Sequence, residues 1–326
     1  AWLREYCQNT QHLRCHLIEH PENLGYTRAV NTGLEASSAE LVIIQNSDTL
    51  VSPGWLRGLV RCINSDARLG MVGPVGNAAS WQNLPSLLDT DGQFAVNPLP
   101  DGLTLAQMAR LVAEVAHELP TTAPPPGTPA PHAPNATPAS ATPATPHYPR
   151  VPFLNGFCLM LRRALIDAIG LMDAENFPIG YGEENDYCLR AADAGFELAV
   201  ASDIYIFHAK SKSFGHAKRK QLSAQGSARL KHKHGTARLT ADTATIKQHP
   251  GLAELRARVQ ACLTHHQQQL AALDPCALRI LFLLPVKGGG GGAHSVVQEV
   301  TAMRRLGVQA CIAIRPEHRE YFLRDY

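Results

Sequence analysis

The sequence predicts an α/β fold, in which buried strands alternate with helices and polar turns follow the strands. Three observations carry that expectation. Residues 40–45, Glu-Leu-Val-Ile-Ile-Gln, form a nearly unbroken apolar run that passes directly into Asn46-Ser47-Asp48-Thr49, as expected of a strand buried on both faces of a parallel sheet. Residues 180–190, Gly-Tyr-Gly-Glu-Glu-Asn-Asp-Tyr-Cys-Leu-Arg, read as a glycine turn opening an acidic helix that ends at Gly195. Residues 278–285 form another apolar run, followed by glycines 288–292 and a helical pattern to about Leu306, the order of a βαβ unit.

Taken in order, residues 1–10 read as the end of a helix and Cys15 to Glu19 as a short strand. Residues 21–34 make a glycine-containing turn into a helix, where free backbone N–H groups beside Arg28 and Asn31 can hold a phosphate or ribose; an ordinary strand-to-helix turn fits equally well. After the 40–45 strand, Asp48 with Asn46 is placed to hold a hard divalent cation. The next helix has its own cap in Ser52 and Pro53, which leaves Asn46 and Asp48 for another task. Residues 69–75 form a strand. The loop after it carries polar and aromatic groups of the kind that line a sugar site, although a plain connection is consistent with them. Leu105, Met108, Leu111, Val112 and Val115 mark one face of a helix over residues 103–119.

Residues 120–149 hold nearly half of the 23 prolines and no Asp, Glu, Lys or Arg, so a disordered Pro/Ala/Thr-rich insertion is expected over 119–150. Its Asn135-Ala-Thr triplet is a glycosylation acceptor only in a secreted protein. Residues 151–163 read as a strand with Gly156 at a point of close backbone approach, and residues 196–207 as a strand pair leading to His208. A basic run follows: Lys210, Lys212, His216, Lys218, Arg219 and Lys220. It suits a diphosphate leaving group or an anionic lipid surface, and a solvated helix face equally. Residues 252–273 are amphipathic and are expected to join two domains.

Composition narrows the possible functions. The 326 residues are 45% hydrophobic, with a net charge of +2, which gives no electrostatic case for nucleic acid. The eight cysteines contain no Cys-x-x-Cys pair, a pattern of reduced cytoplasmic thiols without a zinc site. No apolar run reaches the length of a membrane span, so membrane contact is expected to be peripheral. The chain starts at Ala1 within a helical pattern and stops at Tyr326 soon after a new strand and helix; truncation at both ends is the expectation. The acids of residues 183–186 lie at a helix start, where the macrodipole favours ionised carboxylates that accept a proton or face a cation. A charged first turn on a surface helix is the competing reading.

Several motifs fall in a familiar order: Asn-Leu-Gly-Tyr-x-x-Ala-x-Asn-x-Gly at 23–33, Asn-Ser-Asp-Thr, Gly-Pro-Val-Gly-Asn-Ala, Asn-Gly-Phe-Cys-Leu-Met, Gly-Glu-Glu-Asn-Asp-Tyr-Cys-Leu-Arg and the later His208. Together they resemble the inverting family 2 glycosyltransferases of GT-A fold, most closely the rhamnosyl and galactofuranosyl type that builds bacterial surface polysaccharide such as O-antigen or capsule. Residues 278–326 resemble the start of a family 4, GT-B fold glycosyltransferase, with a Rossmann-like βαβ unit. The resemblance implies a mixed, mostly parallel sheet with helices on both faces. It also implies a GT-A domain over 1–235 without its first strand, a helical linker over 236–277 and a GT-B start over 278–326.

Carried over to this chain, the resemblance makes Asp48 a metal ligand, with Asn46 in place of the first acid of an Asp-x-Asp motif and His208 completing the site. Glu184 becomes the catalytic base, with Glu183 and Asp186 orienting the acceptor. Donor contacts fall to Asn23, Gly25, Arg28, Asn31, Ser47, Lys210 and Lys212. Acceptor contacts fall to Asn77, Trp81, Gln82, Asn155, Gly156, Tyr181 and Gly182. The implied cofactor is Mg²⁺ or Mn²⁺, and the implied partners are a nucleotide-sugar donor and a glycan or lipid-linked saccharide acceptor. The implied location is the cytoplasm, at the inner face of the plasma membrane. A sugar-nucleotide binding module without transfer activity and a nucleotidyltransferase of similar fold are the alternatives.

Overall fold

The computed structural model describes residues 2–10, 14–119, 148–209, 216–272, 279–284 and 291–325. The chain divides into two compact units, residues 1–262 and 263–326. The first opens with α1 (Trp2–Asn9) and α2 (Tyr26–Glu35), then β1 (Leu41–Gln45), β2 (Thr49–Leu50), α3 (Trp55–Ile63), β3 (Leu69–Gly76) and α4 (Leu105–Glu118). It continues with β4 (Cys158–Arg162), α5 (Arg163–Ile169), α6 (Glu183–Asp193), β5 (Glu197–His208), α7 (His216–His234), α8 (Thr236–Lys247) and α9 (Pro250–Ala272), the last running past the boundary.

Five strands form one sheet in the order β1-β4-β3-β5-β2. The sheet is mixed, as expected. Its directions differ from a mostly parallel one: β3–β5 is the parallel pairing, whereas β1–β4, β3–β4 and β2–β5 run antiparallel. The centre is β3, buried at all eight positions. By contrast β1 lies at the edge and is only half-buried along most of its length, so its apolar run does not mark a strand covered on both faces. Leu59, Cys62 and Ile63 of α3 pack with Leu69 and Val72 of β3, Ala199, Ala201, Ile204 and Ile206 of β5 and Phe157, Cys158 and Met160 around β4. Each buried Leu or Ile there contributes about 2 kcal/mol by leaving water.

Local chemistry accounts for several element ends. Thr104 caps α4 through a capping box with Gln107, and Gly195 follows α6 with φ 84°. α3 differs from its sequence reading: it starts after Gly54, at φ 79°, without a side-chain cap. Ser52 is buried and accepts the Trp55 N–H through its carbonyl instead. Residues 15–19 make no ladder. The pair expected over 196–207 is one strand, β5, whose pairing with β3 jumps from Ala201 to Tyr205.

Residues 120–147 of the expected insertion lie outside the described residues, as do Lys210 and Lys212. At its far end Tyr148 is already core, 4% exposed, and its hydroxyl accepts from Arg61 Nε at 3.0 Å. The expected helical linker also begins too early. Ile246, Leu252, Leu255 and Val259 are buried, and Arg256 donates to the Trp81 carbonyl, so α8 and the first half of α9 belong to the first unit.

The second unit holds the βαβ element that the sequence suggests. β6 (Arg279–Leu284) pairs in parallel with β7 (Gln309–Ile314), and α10 (Gly291–Arg305) connects them. A 3-10 turn, Pro316–His318, and α11 (Arg319–Asp325) follow. Residues 285–290, which include most of the glycine run, lie outside the described residues.

Candidate active site

The acidic helix start is built on backbone that favours glycine. Gly180, Tyr181 and Gly182 have φ of 98°, 66° and 136°, and a left-handed Tyr is a strained residue of the kind found at functional sites. Packing enforces this path. A Cβ on Gly182 would sit 2.9 Å from the Phe177 ring, and one on Gly226 of α7 would sit 1.7 Å from the Tyr181 carbonyl oxygen. The loop therefore delivers α6 with Glu183 and Glu184 turned back onto the Gly182 N–H, which donates to Glu183 Oε2 at 3.0 Å and to Glu184 Oε2 at 3.3 Å.

Two carboxyls that share one donor in a buried place do not both ionise readily. Glu183 is 6% exposed; burial, then the Glu184 charge, push its carboxyl well above the ordinary value. Burial also raises Glu184, opposed by N–H groups of the helix start and by the Glu183 carboxyl. Both carboxyls are thus raised, and the pair holds a proton more readily than an isolated glutamate does. Gly156 lies against Glu184, where a Cβ would meet the Glu184 side chain at 3.4 Å, an ordinary contact that does not itself demand glycine.

Asp186 faces elsewhere. Its buried carboxylate takes Arg190 Nε at 2.8 Å, Lys233 Nζ at 2.7 Å and His234 Nε2 at 2.7 Å. Burial pushes it up, but hydrogen bonds from Lys233, His234 and Arg190 outweigh burial and hold it below the usual range. It ties α6 to α7, and its carboxylate is engaged by these three side chains rather than presented to a ligand.

The second cluster is made by sheet topology. The turn after β1 is closed by Thr49 Oγ1, which donates to the Asn46 carbonyl at 2.8 Å. β2 then pairs Thr49 with His208 at the end of β5, and this sets Asp48 beside the imidazole, Oδ1 to Nε2 at 3.3 Å. His208 Nδ1 lies 2.9 Å from the Ala78 carbonyl oxygen. A carbonyl only accepts, so Nδ1 donates to Ala78 and Nε2 is the ring nitrogen that faces Asp48. A carboxylate oxygen and an imidazole nitrogen at this spacing are two possible ligands of one cation, and the backbone bond on the far nitrogen is the support that metal-binding histidines use. The pair fits a divalent cation as a half-site. Among the described residues no group of three His, Cys, Asp or Glu side chains gathers around one point.

Residues 155–157 join the two clusters. Phe157 accepts the Asn46 N–H at 2.9 Å through its carbonyl and stacks its ring on His208, centroids 5.3 Å apart, while the adjacent Gly156 touches Glu184. Tyr26 is a further bridge: its hydroxyl donates to Asn46 Oδ1 at 3.4 Å. Burial, then the charges of Glu183 and Glu184, push that hydroxyl well above its ordinary value. Sequence reasoning gave Tyr26 no role. The available signal was its place directly after Gly25, where φ is 81° and a Cβ would lie 2.4 Å from the Pro178 carbonyl oxygen, so that α2 starts against the loop before α6.

Several other candidates prove to be backbone clamps. Asn31 exchanges hydrogen bonds with the Met172 backbone at 2.8 and 3.0 Å. Asn77 does the same with His208, and Gln82 with the Pro74 carbonyl and the Asn155 N–H. The Asn155 side chain bonds Ser80 and the Phe157 N–H. Asn23 caps the Gly25 N–H. These groups hold loops, and their polar atoms are already engaged. Arg28 and Ser47 are exposed, and Trp81 is half-buried edge-on to Phe94 at 4.7 Å.

An α/β unit with a buried carboxyl pair at a helix start and an acid–histidine pair at a strand end has the parts of a group-transfer enzyme. Residues 4–227, more than half of the chain, match the family model described as glycosyltransferase-like family 2, and the chain belongs to that family. Among solved structures it is similar to the mannosyltransferase PcManGT from Pyrobaculum calidifontis in complex with GDP-Man and Mn2+, at 16% identity and a TM-score of 0.46, over 98% of this chain and 69% of that one. It is also similar to GalNAc-T7 with UDP, GalNAc and Mn2+, at 14% identity and a TM-score of 0.39, over 77% and 44%. No curated protein matches the chain. Among the described residues no helix is long and apolar enough to cross a membrane.

Proposed function

We propose that the first unit is an inverting, metal-dependent glycosyltransferase of GT-A type that moves a sugar from a nucleotide-sugar to a hydroxyl of a glycan or lipid-linked acceptor. The observation that carries the reading is Glu184. It is a carboxylate held at a helix start, with Gly156 on one side and the Gly182 N–H on the other, and no cation pairs with it among the described residues. Such a group is free to take a proton.

In the proposed reaction the acceptor oxygen attacks the anomeric carbon while its proton passes to Glu184. The bond from that carbon to the diphosphate oxygen breaks, and the electron pair leaves with the nucleoside diphosphate. Glu183 stays protonated, donates to Glu184 and keeps a second negative charge out of the pocket. Asp48 and His208 would hold the divalent cation, Mg²⁺ or Mn²⁺; when bound, it supplies positive charge opposite the leaving diphosphate. Asn46 and Tyr26 position that turn. Trp81 with Phe94 offers an apolar wall suited to a sugar face.

We further assign the reaction to bacterial surface polysaccharide assembly, with a rhamnosyl or galactofuranosyl-type donor, at the cytoplasmic face of the membrane. The second unit, with its parallel βαβ element, is assigned as GT-B-like. The test is release of nucleoside diphosphate from UDP-, GDP- and dTDP-sugars with Mg²⁺ or Mn²⁺. Release from one donor, stopped by EDTA and by Asp48→Ala, is expected. Pyrophosphate as the product would reassign the chain to nucleotidyl transfer, and activity that survives both EDTA and Asp48→Ala would remove the metal from the scheme.

A further inference from the structure

α7 contains six lysines and arginines and three histidines, and no aspartate or glutamate, in a chain whose net charge is only +2. Arg229, His232 and Lys233 follow the i, i+3, i+4 spacing and so share one helix face. With Ala228 and with Asn176 from the loop before α6, they line a cavity of about 600 Å³. Lys233 is fixed there between Asp173 and Asp186, at 2.7 Å from each. Arg229 and His232 are exposed and have no hydrogen-bond or ion-pair partner among the described residues.

Residues next in the chain to the cavity lining pack against the loop that presents Glu184. Leu230, next to Arg229, packs 3.3 Å from the Cβ position of Gly182, and Phe177, next to Asn176, packs against the same glycine. The walls of the cavity and the loop that presents Glu184 are therefore one packed piece.

We propose that this cavity is an anion subsite that takes a phosphate or diphosphate group carried by the acceptor substrate. The proposal rests on the transferase reading for the word acceptor, and on the cavity alone for the anion. The Arg229 guanidinium presents a planar fork that matches two phosphate oxygens, and the His232 ring adds a donor one turn along. The nearby carboxylates do not oppose an anion. Asp173 is taken up by Lys233 and by the backbone and side-chain N–H groups of Asn176, and Asp186 by Arg190, Lys233 and His234. Arg190 and Lys233 are held by these two acids, and Arg229 is paired with neither of them.

The test uses the whole chain with inorganic diphosphate as probe and EDTA present, so that no metal-held diphosphate forms at Asp48. Calorimetric titration is expected to show binding that weakens about tenfold or more in Arg229→Ala/His232→Ala, with an unchanged urea midpoint. Glu184→Gln should bind the probe like the wild type, since it lies outside the cavity. Failure of nucleoside diphosphate release together with Arg229-dependent probe binding would sink the transferase reading and leave the anion site standing. Equal probe affinity in the double variant overturns the site. A second arm uses phosphatidylglycerol vesicles: sedimentation that depends on Arg229 and His232, without binding of the free probe, overturns it in favour of a membrane surface.

Discussion

Glu184 and Asp186 stand two residues apart in the first turn of α6, and two residues rotate an α-helix by about 200°. They share a helix end and a macrodipole, yet their surroundings are opposite. Glu184 faces a strained glycine loop, the bare backbone of Gly156 and another carboxyl, and burial raises it. Asp186 faces three side chains that donate to it, and is held low. The dipole acts alike on both, so it cannot decide which acid reacts. The side with cations ties two helices together, and the side without them is the one to which the proposed proton transfer is assigned.

The sharpest way to break this contrast is to neutralise each acid in turn. Glu184→Gln is expected to lower kcat about a thousandfold with donor affinity preserved, measured by nucleoside diphosphate release and by titration of the donor. Asp186→Ala is expected to leave Lys233 and His234 without their carboxylate and to cost about 3 kcal/mol in urea unfolding, while kcat falls far less than in Glu184→Gln. If stability held and activity vanished, the two faces would have been assigned the wrong way round.

Gly226→Ala probes the backbone between them. Its Cβ would lie 1.7 Å from the Tyr181 carbonyl oxygen, so α7 must shift; a loss of about 2 kcal/mol together with a fall in kcat is expected. The smallest effect is in the pH dependence of stability. A carboxyl raised on folding, such as Glu183, contributes stability that is full below the unfolded value of about 4.3 and is lost as pH rises through the folded one. Asp186, lowered on folding, contributes stability present above its unfolded value and lost as pH falls. Glu183→Gln should therefore flatten the decline towards neutral pH and raise Tm there by about 2 °C; a steeper decline would contradict the proton placed on Glu183.

Much of the fold was legible because its signals are local. The glycines around α6, the periodicity of α4 and the strand, helix, strand order of the second unit all act within a few residues. The edge position of β1 was not legible, since a short apolar run reads alike in a central and an edge strand. At the site, the proximity of Asp48 to His208 depends on the pairing of β2 with β5, and sequence order hinted at it only through the family resemblance. Asn31, Asn77, Gln82 and Asn155 looked like ligand-binding amides because their backbone partners lie far away in sequence, up to 141 residues for Asn31. Tyr26 was overlooked for the same reason: its neighbours come from the turn after β1 and from α6.

The most direct test of the central claim is the pH profile of kcat/KM for the wild type, Glu184→Gln and Asp186→Asn. The expected wild-type acidic limb lies above the ordinary Glu value of about 4.3, stays in place in Asp186→Asn and is absent from the residual activity of Glu184→Gln. A limb that survives in Glu184→Gln, or that moves with Asp186→Asn, would contradict Glu184 as the group that takes the acceptor proton.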